Sequence, residues 1–417
     1  MKQDLFQLSI KGIGDRYRSL LEKTPHYSDW VTFKAAKGEP IYNWFHYKEG
    51  FSPQLVWSLL GELDIKRGSS VIDPFCGTGT TLLACRDKSI NSTGFDILPL
   101  SVFVANTKLQ EGYDMGQLRE KIRELTSLKF DKKNRRWPEL RFFNVEKAHS
   151  RYAYSDILFY RDKIREVEDE KTRNFLFLGL LSIVIGCGNI KKDGGVLKII
   201  KRKNTPPVKV LLKNRLNRMY RDLVNKKTTP DAGARAMRGD ARSLPVEDNS
   251  FNACISSPPY LNWVDYTKVY AIELSLLLDS GRELRRLRKQ TLSSHVGSRG
   301  GKKKNPESTR LSGIMDELQD NPDPKKKPQV VLDYFADLSE SLKTIYNSLV
   351  DGGSAALVIS NTCMPSLTID SDLITAEISE NLGFNVERVL VSKVRWCDVG
   401  GIRKERPVRE SIVVLKK

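Results

Sequence analysis

The chain has 417 residues, 40% of them hydrophobic, which suits two domains or one large domain with insertions. Its 69 Lys and Arg outnumber its 51 Asp and Glu, and the net charge of +18 favours a polyanionic partner such as nucleic acid. No signal-peptide layout opens the sequence, and no apolar run reaches the about 18 residues of a membrane span. Six scattered cysteines without a CxxC pair, and four histidines, disfavour a zinc site or a disulfide scaffold. We therefore expect a cytoplasmic protein with no metal and no membrane contact.

The first elements alternate between strand and helix patterns. Residues 70–75 predict a strand that runs into the glycine turn CGTGTT and then a helix. Residues 92–97 predict a second strand, followed by a helix from about Pro99. This alternation indicates the start of a parallel α/β sheet.

Strand patterns then disappear between residues 110 and 235, where the sequence is charged and favours helices. We interpret this segment as a largely helical insertion between two parts of one domain, 1–109 and 236–417. Residues 198–227 hold eleven Lys and Arg and one acidic residue, Asp222, a density that favours contacts with phosphates. Lys201, Arg202 and Lys203 are our candidates for nucleic-acid binding, and a solvated helix face is the alternative.

The carboxyl-terminal part resumes the strand pattern. Residues 251–256 predict a strand that two prolines interrupt, and 281–329 predict an exposed basic loop. Apolar residues at helical spacing from Tyr334 to Leu349 predict an amphipathic helix. A buried strand and a final antiparallel hairpin should follow. The predicted fold is a mostly parallel sheet with a carboxyl-terminal antiparallel hairpin.

The stretch DPFCGTGTT predicts a cofactor site at the end of the first strand. Gly77 and Gly79 let the backbone approach a ligand closely at the carboxyl edge of the sheet. A dinucleotide fingerprint requires a third glycine where Leu82 stands, and no Gly-Lys-Ser/Thr forms a phosphate loop. The site therefore lacks the pattern of a pyrophosphate or triphosphate pocket.

Three aspartates follow successive predicted strands and indicate the ligand. Asp73 would repel an anion, Asp96 suits the two hydroxyls of a ribose, and Asp240 suits the amino group of adenine. A ribose, an adenine and a cationic or amino-bearing tail together describe S-adenosylmethionine. The alternative for each aspartate alone is a helix cap or a loop carboxylate.

The motifs DPFCGTGTT, GFD, GDA and SPPY, in this order, resemble those of the amino-methyltransferases, which methylate exocyclic nitrogens of DNA bases. The resemblance implies a Rossmann-like class I methyltransferase fold, S-adenosylmethionine as cofactor, and double-stranded DNA with a flipped-out base as substrate. It also implies a target-recognition role for the insertion and a cognate restriction endonuclease or another defence protein as partner. The implied cofactor-binding residues are Phe51, Ser52, Pro53, Asp73, Pro74, Phe75, Cys76, Gly77, Thr78, Gly79, Thr80, Thr81, Asp96, Ile97, Asp240 and Ala241.

The motif SPPY supplies the implied catalytic residues, Ser257, Pro258, Pro259 and Tyr260. An exocyclic amine is a poor nucleophile, and the Ser257 hydroxyl and the Pro258 carbonyl can accept its hydrogen bonds in a turn that the prolines preorganise. Tyr260 can stack on the extruded base, since a duplex hides the amine. Trp263 and Tyr266 are candidates for the base pocket, although aromatic residues after a turn more often belong to the core.

A serine at the first motif position is associated, within the resemblance, with cytosine N4, so the leading prediction is a cytosine-N4 DNA methyltransferase. Adenine N6 is the first alternative, and an RNA methyltransferase is the second. A binding protein that kept the fold without catalysis would have lost the aspartates or SPPY, and all are present. Cys76 and Cys254 do not follow a proline as a C5-cytosine nucleophile would, so we interpret them as packing residues.

Overall fold

The computed structural model describes residues 4–131, 135–137, 140, 143–202, 204–226, 232–262, 264–278, 281–294, 304–320, 328–364, 367–399 and 402–417. Two residues predicted to bind nucleic acid, Lys203 and Trp263, lie outside the described residues. Within the described part, no helix is long and apolar enough to span a membrane.

The strands of the described chain are β1 Leu21–Lys23, β2 Ser70–Asp73, β3 Asn91–Asp96, β4 Ile190–Asp193, β5 Val196–Ile199, β6 Ala234–Arg238, β7 Phe251–Ser256, β8 Leu349–Ser360, β9 Thr362–Met364, β10 Leu367–Ile369, β11 Asn385–Val399 and β12 Ile402–Lys416. Eight of them form one sheet in the order β1-β11-β12-β8-β7-β2-β3-β6. Neighbours from β8 to β6 run parallel, whereas β12 is antiparallel to both β8 and β11. The predicted Rossmann-like sheet with a carboxyl-terminal antiparallel hairpin is confirmed.

The strand order explains where a ligand can bind. From β2 the chain adds β3 and then β6 on one side, and it returns to add β7 and β8 on the other side of β2. The connection that follows β2 therefore leads to one side of the sheet, and the connection that follows β7 leads to the other. Such a reversal opens a crevice above the carboxyl ends of these two strands. The motif residues Asp73 and Ser257 lie at this edge, at the end of β2 and just after β7.

The α-helices are α1 Leu5–Ser9, α2 Asp15–Arg18, α3 Pro53–Glu62, α4 Thr80–Asp87, α5 Pro99–Leu109, α6 Met115–Ser127, α7 Val145–Ala148, α8 Arg151–Arg165, α9 Glu170–Leu181, α10 Val208–Val224, α11 Tyr266–Val269, α12 Ala271–Leu278, α13 Gly281–Gln290, α14 Thr309–Asp320, α15 Pro328–Ser348 and α16 Ser371–Asn381. Short 3₁₀ helices cover Pro25–Tyr27, Ala35–Gly38 and Tyr42–Trp44.

Helices of the inserted segment share a core with those that cover the sheet. Phe177 of α9 contacts Phe103 of α5 edge-on at 5.7 Å between ring centroids, and Phe175 meets Trp44 at 5.4 Å. Trp44 also donates a hydrogen bond from its indole nitrogen to Asp222 of α10. The insertion is thus packed onto the sheet domain through buried aromatic contacts, which are large contributors to core stability.

Two expectations about local structure need correction. The segment 281–329, predicted to be an exposed basic loop, contains α13 and α14 among its described residues. Leu284 and Leu287 of α13 are buried, because their i, i+3 spacing puts both on one face, whereas the other faces of the helix carry the exposed Arg282, Arg285 and Arg286. The largely helical insertion also contains a two-stranded ribbon, β4–β5.

Candidate active site

A cleft of about 500 Å³ opens at the carboxyl edge of the sheet, within the size range of small-molecule sites. It brings together most residues predicted from the three aspartate motifs and SPPY. Those that line it are Phe51, Asp73, Pro74, Phe75, Cys76, Gly77, Thr78, Thr80, Asp96, Ile97, Asp240, Ala241, Ser257, Pro258, Pro259, Tyr260 and Tyr266. Residues that are far apart in the sequence therefore converge on one space.

The glycine turn after β2 has backbone angles that only glycine adopts freely. Gly77 and Gly79 have φ values of +49° and +81°. A Cβ atom on Gly77 would lie 3.2 Å from the ring of Tyr47 in the cleft wall, and one on Gly79 would lie 2.8 Å from Cβ of Ala105. On the cleft side, the turn therefore exposes backbone without a side chain at Gly77. On its other side, Gly79 packs closely against Ala105 of α5.

Asp73 ends β2 as a buried carboxylate. Its Oδ1 accepts hydrogen bonds from the Ser256 hydroxyl at 2.5 Å and from the Phe75 amide at 3.1 Å. Burial outweighs these bonds and raises the pKa of Asp73 to about 6. The hydrogen bonds thus hold the carboxylate at the floor of the cleft, where a cationic ligand group would favour its ionised form.

Asp96 ends β3 and supports the glycine turn. Its two carboxylate oxygens accept hydrogen bonds from the amides of Leu98, at 2.8 Å, and Gly77, at 3.0 Å. Burial raises the pKa of Asp96 to about 6 as well. Each oxygen retains lone pairs for a ligand, because a carboxylate offers about four acceptor sites.

Asp240 lies two residues beyond β6 and is already engaged by a protein cation. Arg242 donates from Nε to its Oδ1 at 2.9 Å and from Nη1 to Asp337 at 3.0 Å. Asp240 is therefore held in place at the rim of the cleft, and its neighbour Ala241 is buried beside it.

The proline turn after β7 is fixed by three hydrogen bonds to distant strands and helices. Ser257 donates from its hydroxyl to the carbonyl of Val358 in β8 at 3.2 Å. Tyr334 of α15 donates to the carbonyl of Pro259 at 2.9 Å, and the Tyr260 hydroxyl donates to Oε1 of Glu410 at 3.2 Å. Burial, and then the charge of Glu410, raises the pKa of the Tyr260 phenol, so it stays protonated.

Four residues predicted to bind the cofactor do not line the cleft. Ser52 donates its hydroxyl to the carbonyl of Trp30, and Pro53 begins α3 behind Phe51. Gly79 and Thr81 lie beneath the turn, where the Thr81 hydroxyl meets the carbonyl of Ile255. Their positions support the wall of the cleft rather than form its surface.

The basic candidates lie away from the cleft lining. The guanidinium of Arg202 donates to the carbonyls of Gly186, at 3.1 Å, and Ile190, at 2.7 Å. These bonds fix the base of the β4–β5 ribbon. Lys201 is exposed beside it.

Several residues at the cleft were not predicted from the sequence. Tyr47 and Glu49 line the cleft, and Tyr270 stacks on Tyr47 at 4.9 Å while its hydroxyl bonds to Glu49. Lys108 lies buried under the turn, donates to the carbonyl of Thr78 at 3.2 Å, and has its pKa lowered to about 7 by burial. The helical spacing of 101, 104, 105 and 108 indicated this inward position for Lys108.

The chemistry of the cleft fits S-adenosylmethionine. Asp73 and Asp96 supply acceptors for positive charge and hydroxyl groups, Gly77 leaves room for close approach, and Phe51 and Phe75 add apolar walls. Burial raises the pKa of the thiols of Cys76 and Cys254, so neither has the thiolate character of a nucleophile. No cluster of three His, Cys, Asp or Glu side chains suited to a metal ion occurs in the described ranges.

Comparisons with known proteins agree with this chemistry. The chain is 27% identical over 448 residues to the type II methyltransferase M.BsoBI of Geobacillus stearothermophilus, covering 93% of this chain and 87% of the relative. It is 28% identical over 430 residues to the type II methyltransferase M.AvaI of a Nostoc species, covering 93% and 88%. No protein-family model matches. Among solved structures, the chain matches a SAM dependent methyltransferase from Aquifex aeolicus at 9% identity and a TM-score of 0.27. The match covers 87% of this chain and 98% of that one.

The sheet, the cleft and these relatives define a methyltransferase. Its homologues are type II DNA methyltransferases, which is consistent with a family of S-adenosylmethionine-dependent DNA methyltransferases. Its cofactor is S-adenosylmethionine, as the three aspartate motifs predicted.

Proposed function

We propose that the protein transfers a methyl group from S-adenosylmethionine to the exocyclic N4 amine of cytosine at specific sites in double-stranded DNA. The observation that carries this proposal is a shared cleft, in which the turn Ser257–Tyr260 faces the carboxylates of Asp73 and Asp96. One side of the cleft suits the methyl donor and the other suits an amine.

Ser257 acts as a hydrogen-bond acceptor for the amine. Its hydroxyl proton points to the carbonyl of Val358, which leaves the oxygen lone pairs to accept from an incoming NH₂ group. The Pro258 carbonyl is the second acceptor in this proposal. The proline turn holds both acceptors before the base arrives, so little reorganisation is needed during the reaction.

Tyr260 stacks on the target base after the base has rotated out of the duplex. Flipping is required because the amine is not accessible inside the stacked helix. The bond to Glu410 orients the phenol, and Tyr266 adds a second half-buried aromatic ring in the same cleft. Two aromatic faces are a common solution for holding an unstacked base.

The aspartates bind the cofactor, which supplies the methyl group as part of a sulfonium cation. Asp96 accepts from ribose hydroxyls, and Asp240 accepts from the adenine amino group despite its bond to Arg242. Asp73 provides negative charge near the cationic end. The residues Phe51 and Phe75 shield the cleft from water.

The choice of cytosine N4 rests on the serine of SPPY, and adenine N6 is the alternative. We also propose that the inserted segment 110–235 recognises the target sequence. A companion endonuclease in a restriction-modification system is proposed because the relatives are named type II methyltransferases.

The test is nucleoside analysis by mass spectrometry after incubation of the protein with methyl-labelled S-adenosylmethionine and plasmid DNA. Labelled N4-methylcytosine is the expected product. Labelled N6-methyladenine would contradict the choice of cytosine N4 but not the methylation of DNA. In a parallel incubation with RNA, label found only in the RNA would show that DNA is not the substrate. The variant Asp96→Ala, purified from the same host, controls for a contaminating host enzyme.

A further inference from the structure

The ribbon β4–β5 reaches the methyl-transfer cleft from within the inserted segment. Within the part of the chain that the structure describes, its strands Ile190–Asp193 and Val196–Ile199 pair only with each other, and the turn residues Gly194 and Gly195 line the cleft. A Cβ atom on Gly195 would lie 3.0 Å from the side chain of Val264, shortly after the catalytic turn. The tip of the ribbon is therefore part of the cleft rim.

Several contacts anchor the ribbon, since an isolated two-stranded hairpin is at best marginally stable. Lys192 forms a buried ion pair with Glu273 at 2.6 Å and lies 3.6 Å from the ring centre of Tyr270. Lys48 donates a hydrogen bond to the carbonyl of Gly194, and Arg202 bonds to the carbonyl of Ile190. The ribbon is thus held rigidly against the cleft at its base and at its tip.

The rest of the ribbon is exposed and basic. Val196 and Ile199 are 55% and 46% exposed, and they lie at the two ends of β5. Lys191 and Lys198 are more than half exposed, and both approach the one acid of the ribbon, Asp193, at 3.6 and 3.7 Å. A surface that combines exposed apolar side chains with lysines suits contact with a polyanion that also has apolar edges.

The basic helix α10 is a weaker candidate for this contact. At its carboxyl end, Lys226 pairs with Glu111, which also pairs with Arg86 in the last turn of α4. Because α4 begins at the cleft and runs away from it, this end of α10 lies at the opposite edge of the sheet. Lys209 and Arg215 donate to the backbone carbonyls of Leu128 and Asn43.

We propose that the β4–β5 ribbon contacts duplex DNA beside the target base, with Lys191 and Lys198 on phosphates and Val196 against base edges. A major groove about 12 Å wide admits a two-stranded ribbon, and thymine methyl groups offer apolar contact there. The ribbon's position at the cleft rim places this contact next to the flipped base. The inference rests on the proposed function, because it takes the polyanion to be the methylation substrate.

The test uses single variants that each remove one exposed charge from a surface ion pair. Lys191→Gln and Lys198→Gln are matched by Lys66→Gln, because Lys66 is 75% exposed, pairs with Asp64 at 2.9 Å, and precedes the amino end of β2, away from the cleft. Asp193→Asn is matched by Asp64→Asn. Binding to a random-sequence 30-base-pair duplex is measured by fluorescence anisotropy over a range of salt concentrations, and S-adenosylmethionine affinity is measured by calorimetry.

Each ribbon lysine variant should weaken duplex binding about threefold to tenfold at 0.1 M salt and lower the log-log salt slope by about one. Asp193→Asn should strengthen binding severalfold, a gain that loss of folding would not produce. The controls and the cofactor affinity should stay unchanged. The inference is overturned if the ribbon variants behave like their controls, or if they weaken binding to a hairpin RNA but not to the duplex. Failure of the proposed function is separate, because it appears as absence of methylated cytosine in the unmodified protein.

Discussion

The hydroxyl of Tyr260 donates a hydrogen bond to Oε1 of Glu410 across 150 positions of sequence, at 3.2 Å. Glu410 belongs to β12, which is antiparallel to β8, while Tyr260 follows β7, which is parallel to β8. The carboxyl-terminal hairpin therefore reaches the proline turn after β7 and holds the hydroxyl of its tyrosine. The hydroxyl of Tyr260 thus has a partner within the protein, whereas its ring is proposed to stack on the target base.

Replacing Tyr260 by alanine should abolish most methyl transfer, because the stacking face is worth about 1–3 kcal/mol per base. Tyr260→Phe keeps the ring and loses only the bond to Glu410, so its activity should fall severalfold at most. Affinity for S-adenosylmethionine, measured by calorimetric titration, should change little in either variant. Equal losses of transfer in both variants would mean that the hydroxyl, and not the ring, is the essential group.

Asp96→Ala should weaken binding of S-adenosylmethionine by roughly 10- to 150-fold, since a hydrogen bond to a charged group is worth about 1.5–3 kcal/mol. The variant also frees the amide of Gly77, which now donates to Asp96 at 3.0 Å. Calorimetric titration gives the affinity, and circular dichroism checks that the fold persists. An unchanged dissociation constant would remove Asp96 from the cofactor site.

The turn that borders the cleft after β2 was predictable because its residues are adjacent in sequence. The motif DPFCGTGTT contains the strand end, the turn with positive φ at Gly77 and Gly79, and the start of α4 in one stretch. The pairing of β11 with β12 was predictable as well, from two long β-branched runs near a glycine pair. Local patterns of this kind carry their own geometry.

Contacts made through tertiary packing were not predictable. Nothing near Glu410 indicates that it meets Tyr260, and nothing in residues 190–199 indicates that their turn borders the cleft. The helix α13 was missed because its arginine content suggested a loop, although Leu284 and Leu287 already marked a buried face. Composition alone is a weaker guide than periodicity in such segments.

Asp73 gives a prediction for pH dependence in the cofactor-free protein. Burial raises its pKa from 3.8 to about 6, so the folded protein binds more protons than the unfolded chain between about pH 4 and pH 6. Its contribution to stability therefore decreases as the pH rises through this window. The full cost is about 3 kcal/mol above pH 6, because each unit of pKa shift corresponds to about 1.4 kcal/mol.

Asp73→Asn removes this cost and keeps an oxygen that can accept from Ser256 and Phe75. In urea titrations the variant should gain stability over the unmodified protein at pH 8, and the gain should shrink by about half at pH 5. Binding of S-adenosylmethionine should be weaker in the variant at both pH values. A stability difference that does not vary with pH would show that folding does not raise the pKa of Asp73 above its value in the unfolded chain.

Gly94 of β3 supplies a steric test of the glycine turn. A Cβ atom there would lie 2.6 Å from Cβ of Cys76 and 2.9 Å from Cδ1 of Leu82, so Gly94→Ala must displace the turn. We expect a loss of about 1–3 kcal/mol in the free energy of unfolding, typical of overpacking. Affinity for S-adenosylmethionine should also fall, because Cys76 and Gly77 line the cleft.

Gly61→Ala is the matched control, since Gly61 lies in α3 with no atom within 4 Å of the added Cβ. It should raise the free energy of unfolding by roughly 0.5–1 kcal/mol, through the better helix propensity of alanine, and leave cofactor affinity unchanged. Urea denaturation and calorimetry measure both quantities. Gly94→Ala could also prove as stable as the unmodified protein and bind S-adenosylmethionine equally well. The turn would then move by several tenths of an ångström without any loss in the free energy of unfolding. That result would show that the close packing of Cys76 against β3 does not fix the position of the glycine turn.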